Sequence, residues 1–346
     1  MARIVASNSV PGSRSTRSAV QPPVFMQTGP SRPVEPARGV PVLMSDQVTV
    51  PAGGEQPFSS QAYLNNRGVP VLVSAMNVFT SSVPTVLGTL MMNGTIAIQA
   101  AIKRRGGAYV PLTRGYVPVW SLARSQDRLA DFFAASLAGE ASAMTWRFPH
   151  PLQLDPGDMI ETQVKHLGMI NLPITVSVSY SGADGSSPVR RIPYAVGWQS
   201  TDFDYAQAGT DMSPTDALMN DLNRDFIVDR IIGRFASSEF IYTAPGELPQ
   251  MLTALTYGDF GDVTNQGTIS ALIRLSLSQQ RAILRDFTPF RSVFGQAASI
   301  ESPFVLAPKD YLIAEIQHYA GVTMAAATLT SSVGRAFVSL VGWREG

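Results

Sequence analysis

Three histidines, His150, His166 and His318, are the chain's whole supply of imidazole, and there is no cysteine. Proton transfer, nucleophilic attack and metal ligation draw heavily on those two residue types, so little chemistry is open. Without cysteine there is no thiolate nucleophile, no disulfide and no Cys-ligated zinc or iron–sulfur site. His166 and His318 each follow a strand-like run, and they sit 152 residues apart. A shared place beside a strand end accounts for them better than a metal pair, because repeated domains would hold the rings far apart. Neither G-x-S-x-G nor H-E-x-x-H occurs. None of the three lysines, Lys103, Lys165 and Lys309, follows a glycine, which removes the phosphate-binding P-loop.

Carboxylates gather at Asp202, Asp204 and Asp211, and at Asp259 and Asp262 within "YGDFGDVTNQG". The second group lacks the ligand spacing and closing Glu of an EF-hand, so solvated loop carboxylates are the default reading of both. Paired carboxylates can hydrolyse glycosides, yet no sugar-stacking aromatic pattern accompanies these. Trp120, Trp146, Trp198 and Trp343 are scattered and suit core or interface positions. No catalytic group, metal or cofactor is expected.

What elements would carry these residues? The 346 residues allow about two domains, each with a core, since 45% of them are apolar. Only 15% are charged, against a usual ~25%, and the net charge is zero. A chain so poor in charge suits burial among neighbours. Residues 1–44 read differently: Ser, Pro and Arg dominate, and no acid precedes Glu35. Such a segment buries too little apolar surface to offset its ordering entropy, and reads as an extended arm, mobile alone or ordered by a partner. Arg3, Arg14, Arg17, Arg32 and Arg38 make it a candidate contact to a neighbouring subunit, a membrane or packaged genome. Its start lacks the unbroken apolar core of a secretory signal.

Beyond the arm, strand signals prevail. "ITVSVSYS" (174–181) alternates, with Ile174, Val176, Val178 and Tyr180 on one face. "VPVLVSAMNVF", "GTIAIQAAI", "EFIYTA" and "GRAFVSLVGW" are further β-rich runs between turn residues. No charge falls between Arg67 and Lys103, but prolines interrupt that tract and Asn93-Gly94 predicts a hairpin turn, which favours buried sheet over a membrane helix. Apolar spacing predicts three helices, at 121–139, at 213–223 with Ser213 as N-cap and Pro214 at N1, and at 276–287. "PVRRIPY" offers Arg190 and Arg191 for a domain junction or a contact between subunits.

One phrase occurs twice. "PLQLDPGDMIETQV" (151–164) returns as "PFVLAPKDYLIAEI" (303–316), matching Pro156 with Pro308 and Asp158 with Asp310 at the same 152-residue offset. Pro fixes φ, Gly157 or Lys309 completes a turn, and the Asp accepts local backbone N–H groups. Each phrase follows a predicted helix, leads into a strand and is succeeded by a closing strand. The halves therefore read as structural duplicates.

Two β domains of this size and order resemble the double jelly-roll major capsid proteins of icosahedral, membrane-containing bacterial viruses. The resemblance rests on the paired phrases and the helices before them, and it spans most of residues 45–346. It implies a mainly β protein: two jelly-roll β-sandwich domains in tandem, 45–185 and 186–346, with a few flanking helices, one of them a junction helix at 213–223, and the extended N-terminal arm of 1–44. It also implies a non-enzymatic subunit that forms pseudo-hexameric homotrimers within an icosahedral shell. Its partners would be copies of itself, other capsid proteins and, through the arm, an internal membrane or the genome; its place would be the virion, after assembly in host cytoplasm. A receptor- or carbohydrate-binding β-sandwich protein and a minor capsid component are the alternative functions.

Overall fold

The computed structural model describes residues 39–80, 96–122, 144–167, 173–201, 203–204, 209–237, 271–277, 282–289, 299–300, 303–318 and 333–346, all within the unit Glu35–Gly346. The first half supplies β1 (Pro41–Val50), β2 (Glu55–Pro57), β3 (Val71–Thr80), β4 (Ile96–Lys103), β5 (Tyr109–Pro111), β6 (Val117–Pro118), β7 (Met144–Leu154), β8 (Met159–His166) and β9 (Ile174–Asp184). The pairing is nested. β1 lies beside β9, β2 beside β8, β3 beside β7 and β4 beside β5, all antiparallel. β9 also pairs with β3 and β8 with β4, which wraps the nest into two sheets, β1-β9-β3-β7 and β2-β8-β4-β5.

The second half repeats the scheme with β10 (Arg191–Gln199), β11 (Phe203–Asp204), β12 (Gly209–Met212), β13 (Phe226–Ser237), β14 (Ala271–Leu277), β15 (Ala282–Pro289), β16 (Ser299–Ile300), β17 (Phe304–Leu306), β18 (Leu312–His318) and β19 (Val333–Glu345). Its sheets run β10-β19-β13-β16, with β17 on β13 and β11 on β19, and β12-β18-β14-β15. First strand with last, second with seventh, third with sixth and fourth with fifth is the wrapping of a jelly roll. Both halves are jelly rolls.

Burial explains the strand patterns. β9 alternates because Ile174, Val176, Val178 and Tyr180 face the first core while the intervening residues face away from it. β19 reads as an unbroken apolar run because both of its faces are covered. Ala336, Val338 and Leu340 enter the second core, and Phe337 and Val341 join the first. Trp146 belongs to the first core and Trp198 to the second.

Even an irregularity is duplicated. β3 slips register between Val73 and Ala75, and β13 slips between Val228 and Arg230. Opposite each bulge stands a glycine, Gly182 beside Val73 and Gly342 beside Val228. A Cβ at either would run into backbone, the carbonyl oxygen of Leu72 or of Ile227. Glycine lets the strand close over the kink.

The helices are where expectation and structure part. Residues 276–287 form no helix: Leu277 ends β14, residues 282–287 belong to β15, and 278–281 lie outside the described residues. The helical phase among Leu277, Ile283 and Leu284 loses to long-range pairing, because Ile273, Leu275 and Leu277 alternate into the core against β18, and Ile283 is left exposed. The junction helix at 213–223 is also absent; the segment is a run of turns, with the Ala217 N–H on the Pro214 carbonyl at 2.9 Å. Ser213 does not cap it. Its N–H and Oγ bond both backbone groups of Ala314, because this stretch lies along β18. For 121–139 only the beginning is described, a short helix α1 (Val119–Leu122) that starts two residues earlier than expected. "EFIYTA" and Asn93-Gly94 lie outside the described residues, and β3 and β4, which flank the latter, belong to opposite sheets.

Candidate functional site

The repeated phrase folds into the turn joining β7 to β8, and its echo into the turn joining β17 to β18. In each, the Asp N–H closes the turn on a carbonyl three residues back, Asp158 on Asp155 and Asp310 on Ala307, both at 3.0 Å. The third residue is left-handed in both, with φ 87° at Gly157 and 66° at Lys309. Proline second and positive φ third is a type II turn. Both aspartates are buried. Asp158 accepts from Arg104 Nη1 at 2.5 Å and from the N–H groups of Arg105 and Asp155, whereas Asp310 accepts from the Tyr311 N–H.

A buried asparagine locks each turn to the loop after the second strand. Asn65 Nδ2 donates to the carbonyls of Val69 and Leu154, and its Oδ1 accepts from the Arg67 N–H. Its main chain exchanges bonds with Gly157 and Asp158, each 2.8 Å. Asn220 does the same, with Nδ2 on Arg224 and Leu306, Oδ1 on the Leu222 N–H, and main-chain bonds of 2.8 Å to Lys309 and Asp310. Sequence reasoning overlooked these residues, although "AYLN" (62–65) and "ALMN" (217–220) carry the signal at an offset of 155. Insertion between the two repeats hid it.

Both locked turns lie at one end of the protein, joined by a continuous chain of contacts. Asp155 pairs with Arg190 at 3.0 Å; the Arg190 carbonyl accepts from the Gly346 N–H; the Gly346 carbonyl accepts from Arg224; and the Arg224 carbonyl accepts from Asn220. The link 185–190 runs across the same end, so the barrels stand side by side with the same end down. The described chain begins there too, with the Val40 carbonyl on the Asp184 N–H.

Above this base the barrels meet through a buried junction. Leu112, Val117, Val119 and Leu122 of the first barrel share a core with Ile192, Ala195, Ile232, Phe337 and Val341 of the second. The hydroxyls of Ser121 and Ser339 share a hydrogen bond of 2.6 Å, and that of Ser121 also reaches the Pro118 carbonyl. The open edge of β10 is paired rather than left bare: the Ala195 N–H donates to Leu112, and its carbonyl accepts from the Arg114 N–H. Arg114 reaches on to Asp221 at 3.2 Å and to the carbonyls of Asp216 and Met219. Asp221 in turn accepts from the Tyr194 hydroxyl at 2.6 Å; burial first, then that carboxylate, pushes the phenol upward.

Arg190 and Arg191 both serve this junction within one chain. Arg191 lies 4.1 Å over the Trp343 ring and donates to His150 Nε2 at 2.8 Å, while His150 meets Trp343 edge-on. Desolvation, then the neighbouring Arg191 charge, holds the His150 pKa below its ordinary value, with Asp229 opposing. His150 thus lies where its ring nitrogen can accept from Arg191 and orient it. His166 and His318 are the last residues of β8 and β18, equivalent places in separate barrels.

The likenesses to known proteins are distant. No family model matches the sequence, and no curated protein is similar to it in sequence. The structure is similar to the major capsid protein P2 of Bacteriophage PM2, 8% identical, covering 88% of this chain and 98% of that one, with a TM-score of 0.39. The mavirus major capsid protein is 8% identical over 99% and 93%, with a TM-score of 0.31. PNGase F, a glycosylasparaginase from Flavobacterium meningosepticum, is 10% identical over 87% and 96%, also at 0.31. Likenesses at this level reach both shells and an enzyme. Strand order and residues must decide.

Of the other residues singled out in the sequence, Arg3, Arg14, Arg17, Arg32 and Arg38 lie outside the described residues, as do Asp202, Asp259 and Asp262. Asp211 is spent on structure, accepting from the Thr201 N–H and hydroxyl. Among the described residues no three His, Asp or Glu side chains gather as metal ligands.

Proposed function

We propose that this chain is the major capsid protein of a virus, a structural subunit that assembles as pseudo-hexameric homotrimers into an icosahedral shell. The observation carrying this reading is the fusion of two complete jelly rolls, same end down, through an apolar junction. A rigid two-barrel block offers two similar sets of side faces, so three copies can present six barrels in a ring and tile as a hexagon. The bonds described above support a scaffold: His150 orients Arg191, the buried Asp158, Asn65 and Asn220 brace turns, and Asp211 holds a loop. On this reading residues 1–44 are an extended arm, with domains at 45–185 and 186–346. Arg3, Arg14, Arg17, Arg32 and Arg38 would then contact a neighbouring subunit, an internal membrane or the packaged genome, and the protein resides in the virion with other capsid proteins.

Light scattering on the chromatographed chain tests this directly. A particle of three times 37.2 kDa is expected, together with closed shells by electron microscopy at assembly concentrations. A chain that stays monomeric at every concentration, or that releases glycans from a glycoprotein, overturns the reading.

A further inference from the structure

β7 leaves its ladder where it carries His150. Its pairing with β3 passes from Leu152 opposite Val73 to Arg147 opposite Ala75, so residues 148–151 all stand against Ser74. His150 sits between Pro149 and Pro151, neither of which has an N–H to give a ladder. What this excursion reaches is the second barrel, where the His150 ring lies against Arg191 of β10 and Trp343 of β19.

Arg191 is held in an uncommon way. A half-buried guanidinium is best satisfied by a carboxylate, with two N–H groups on two oxygens. Among the described residues Arg191 has no such partner. Its Nη1 donates to His150 Nε2 at 2.8 Å and lies 3.4 Å from Nδ1, and its cation rests 4.1 Å over the Trp343 ring. Its Nε is buried and unpartnered among the described residues. Asp229 of β13 also faces His150, but its carboxylate is taken by Arg230 at 3.1 Å. Glu345, opposite Arg191 in the β10–β19 ladder, is exposed. The acceptor on which Arg191 depends is thus a group that stops accepting once it is protonated.

We propose that His150 makes the junction between the barrels acid-sensitive: on protonation it releases Arg191, and the seam between β7 and β10 opens more often while each barrel keeps its own ladders. An imidazolium has no lone pair to offer, and it would set a second positive charge 2.8 Å from the first. Burial and then the Arg191 charge disfavour the proton in the closed seam, so the open form takes it up more readily. Closure is therefore intact above about pH 6.5 and weakens below it, until the closed form is protonated too. This device lies within one chain and does not depend on the capsid reading.

Two amides bridge the barrels and report the opening, the Ala195 N–H on the Leu112 carbonyl and the Arg114 N–H on the Ala195 carbonyl. Hydrogen exchange of the full-length chain, read by mass spectrometry over 110–116 and 191–199 and scaled for the intrinsic pH dependence of amide exchange, is the test. Protection there should fall roughly tenfold to a hundredfold between about pH 7.5 and about pH 5.5, the weight of one hydrogen bond to a charged group. The β4–β8 ladder inside the first barrel should keep its protection. His150→Gln, which accepts without titrating, should abolish the change. His150→Lys, which is charged throughout, should show the loss at the higher pH already. Light scattering at both pH values keeps the comparison within one state of association. Seam protection that does not respond to acid in the unaltered chain overturns the proposal. So does a response that survives in His150→Gln, or an equal loss in the β4–β8 ladder.

Discussion

In the first barrel Asn65 ties a Pro-Gly-Asp turn to the loop beside it; in the second, Asn220 ties a Pro-Lys-Asp turn by the same bonds. The bulge and its facing glycine are likewise copied. Yet the outer face of one sheet carries serines in the first barrel and Phe337, Val341 and Ile232 in the second. What wrapping a jelly roll requires is kept in both copies, because an unsatisfied buried amide or a Cβ thrust into a carbonyl is costly wherever it occurs. What faces another body is free to differ, because it answers to that body.

Substitutions can break this contrast or sharpen it. The largest effect is expected at equivalent positions on the divergent face. Phe337→Ala should cost about 4 kcal/mol in urea unfolding by emptying the junction, while Ser177→Ala should cost less than about 0.5 kcal/mol. Comparable losses at both would mean the faces are not distinct. Next come the locks. Asn65→Ala and Asn220→Ala each orphan one buried carbonyl, one part-buried carbonyl and an N–H, so each should cost about 2 kcal/mol; a large inequality would show that the turns are alike in shape but not in weight.

The turns themselves give a smaller, opposed pair. Lys309→Gly should stabilise by about 1 kcal/mol, since a left-handed residue with a side chain is strained. Gly157→Ala should destabilise by about 1–2 kcal/mol from the same strain, and its new Cβ would press on Arg105. The last effect is on pH dependence. His150 has a folded pKa below its unfolded value of about 6.5, so only the unfolded chain takes up this proton as acid is added. Stability is intact above that value and falls as pH drops through it towards the folded pKa. His150→Gln should flatten the slope of melting temperature in that window; an unchanged slope would remove His150 as the titrating group. At the 152-residue offset the sequence of the second half carries Ser302 where the first carries His150.

Much of this was legible in the chain. The 152-residue echo identified both turns, and the alternation of "ITVSVSYS" marked a strand with one face turned from the core. These succeed because turns and period-two burial are local: Pro, Gly and Asp carry their geometry with them. Two expected helices failed because Leu277 and Ser213 are governed by β18, dozens of residues away, and pairing across that distance outweighs helical spacing. The asparagine locks escaped notice because a single Asn looks the same in a solvated loop.

Sequence alone determined that the chain is mainly β, duplicated and poor in catalytic side chains, since composition and local periodicity settle those. Only the tertiary structure decided that Arg114 meets Asp221, that Arg191 rests on Trp343, and that Phe337 and Val341 of β19 join the core of the other barrel. Those outcomes depend on how two barrels are set against each other, and no short stretch of residues records that.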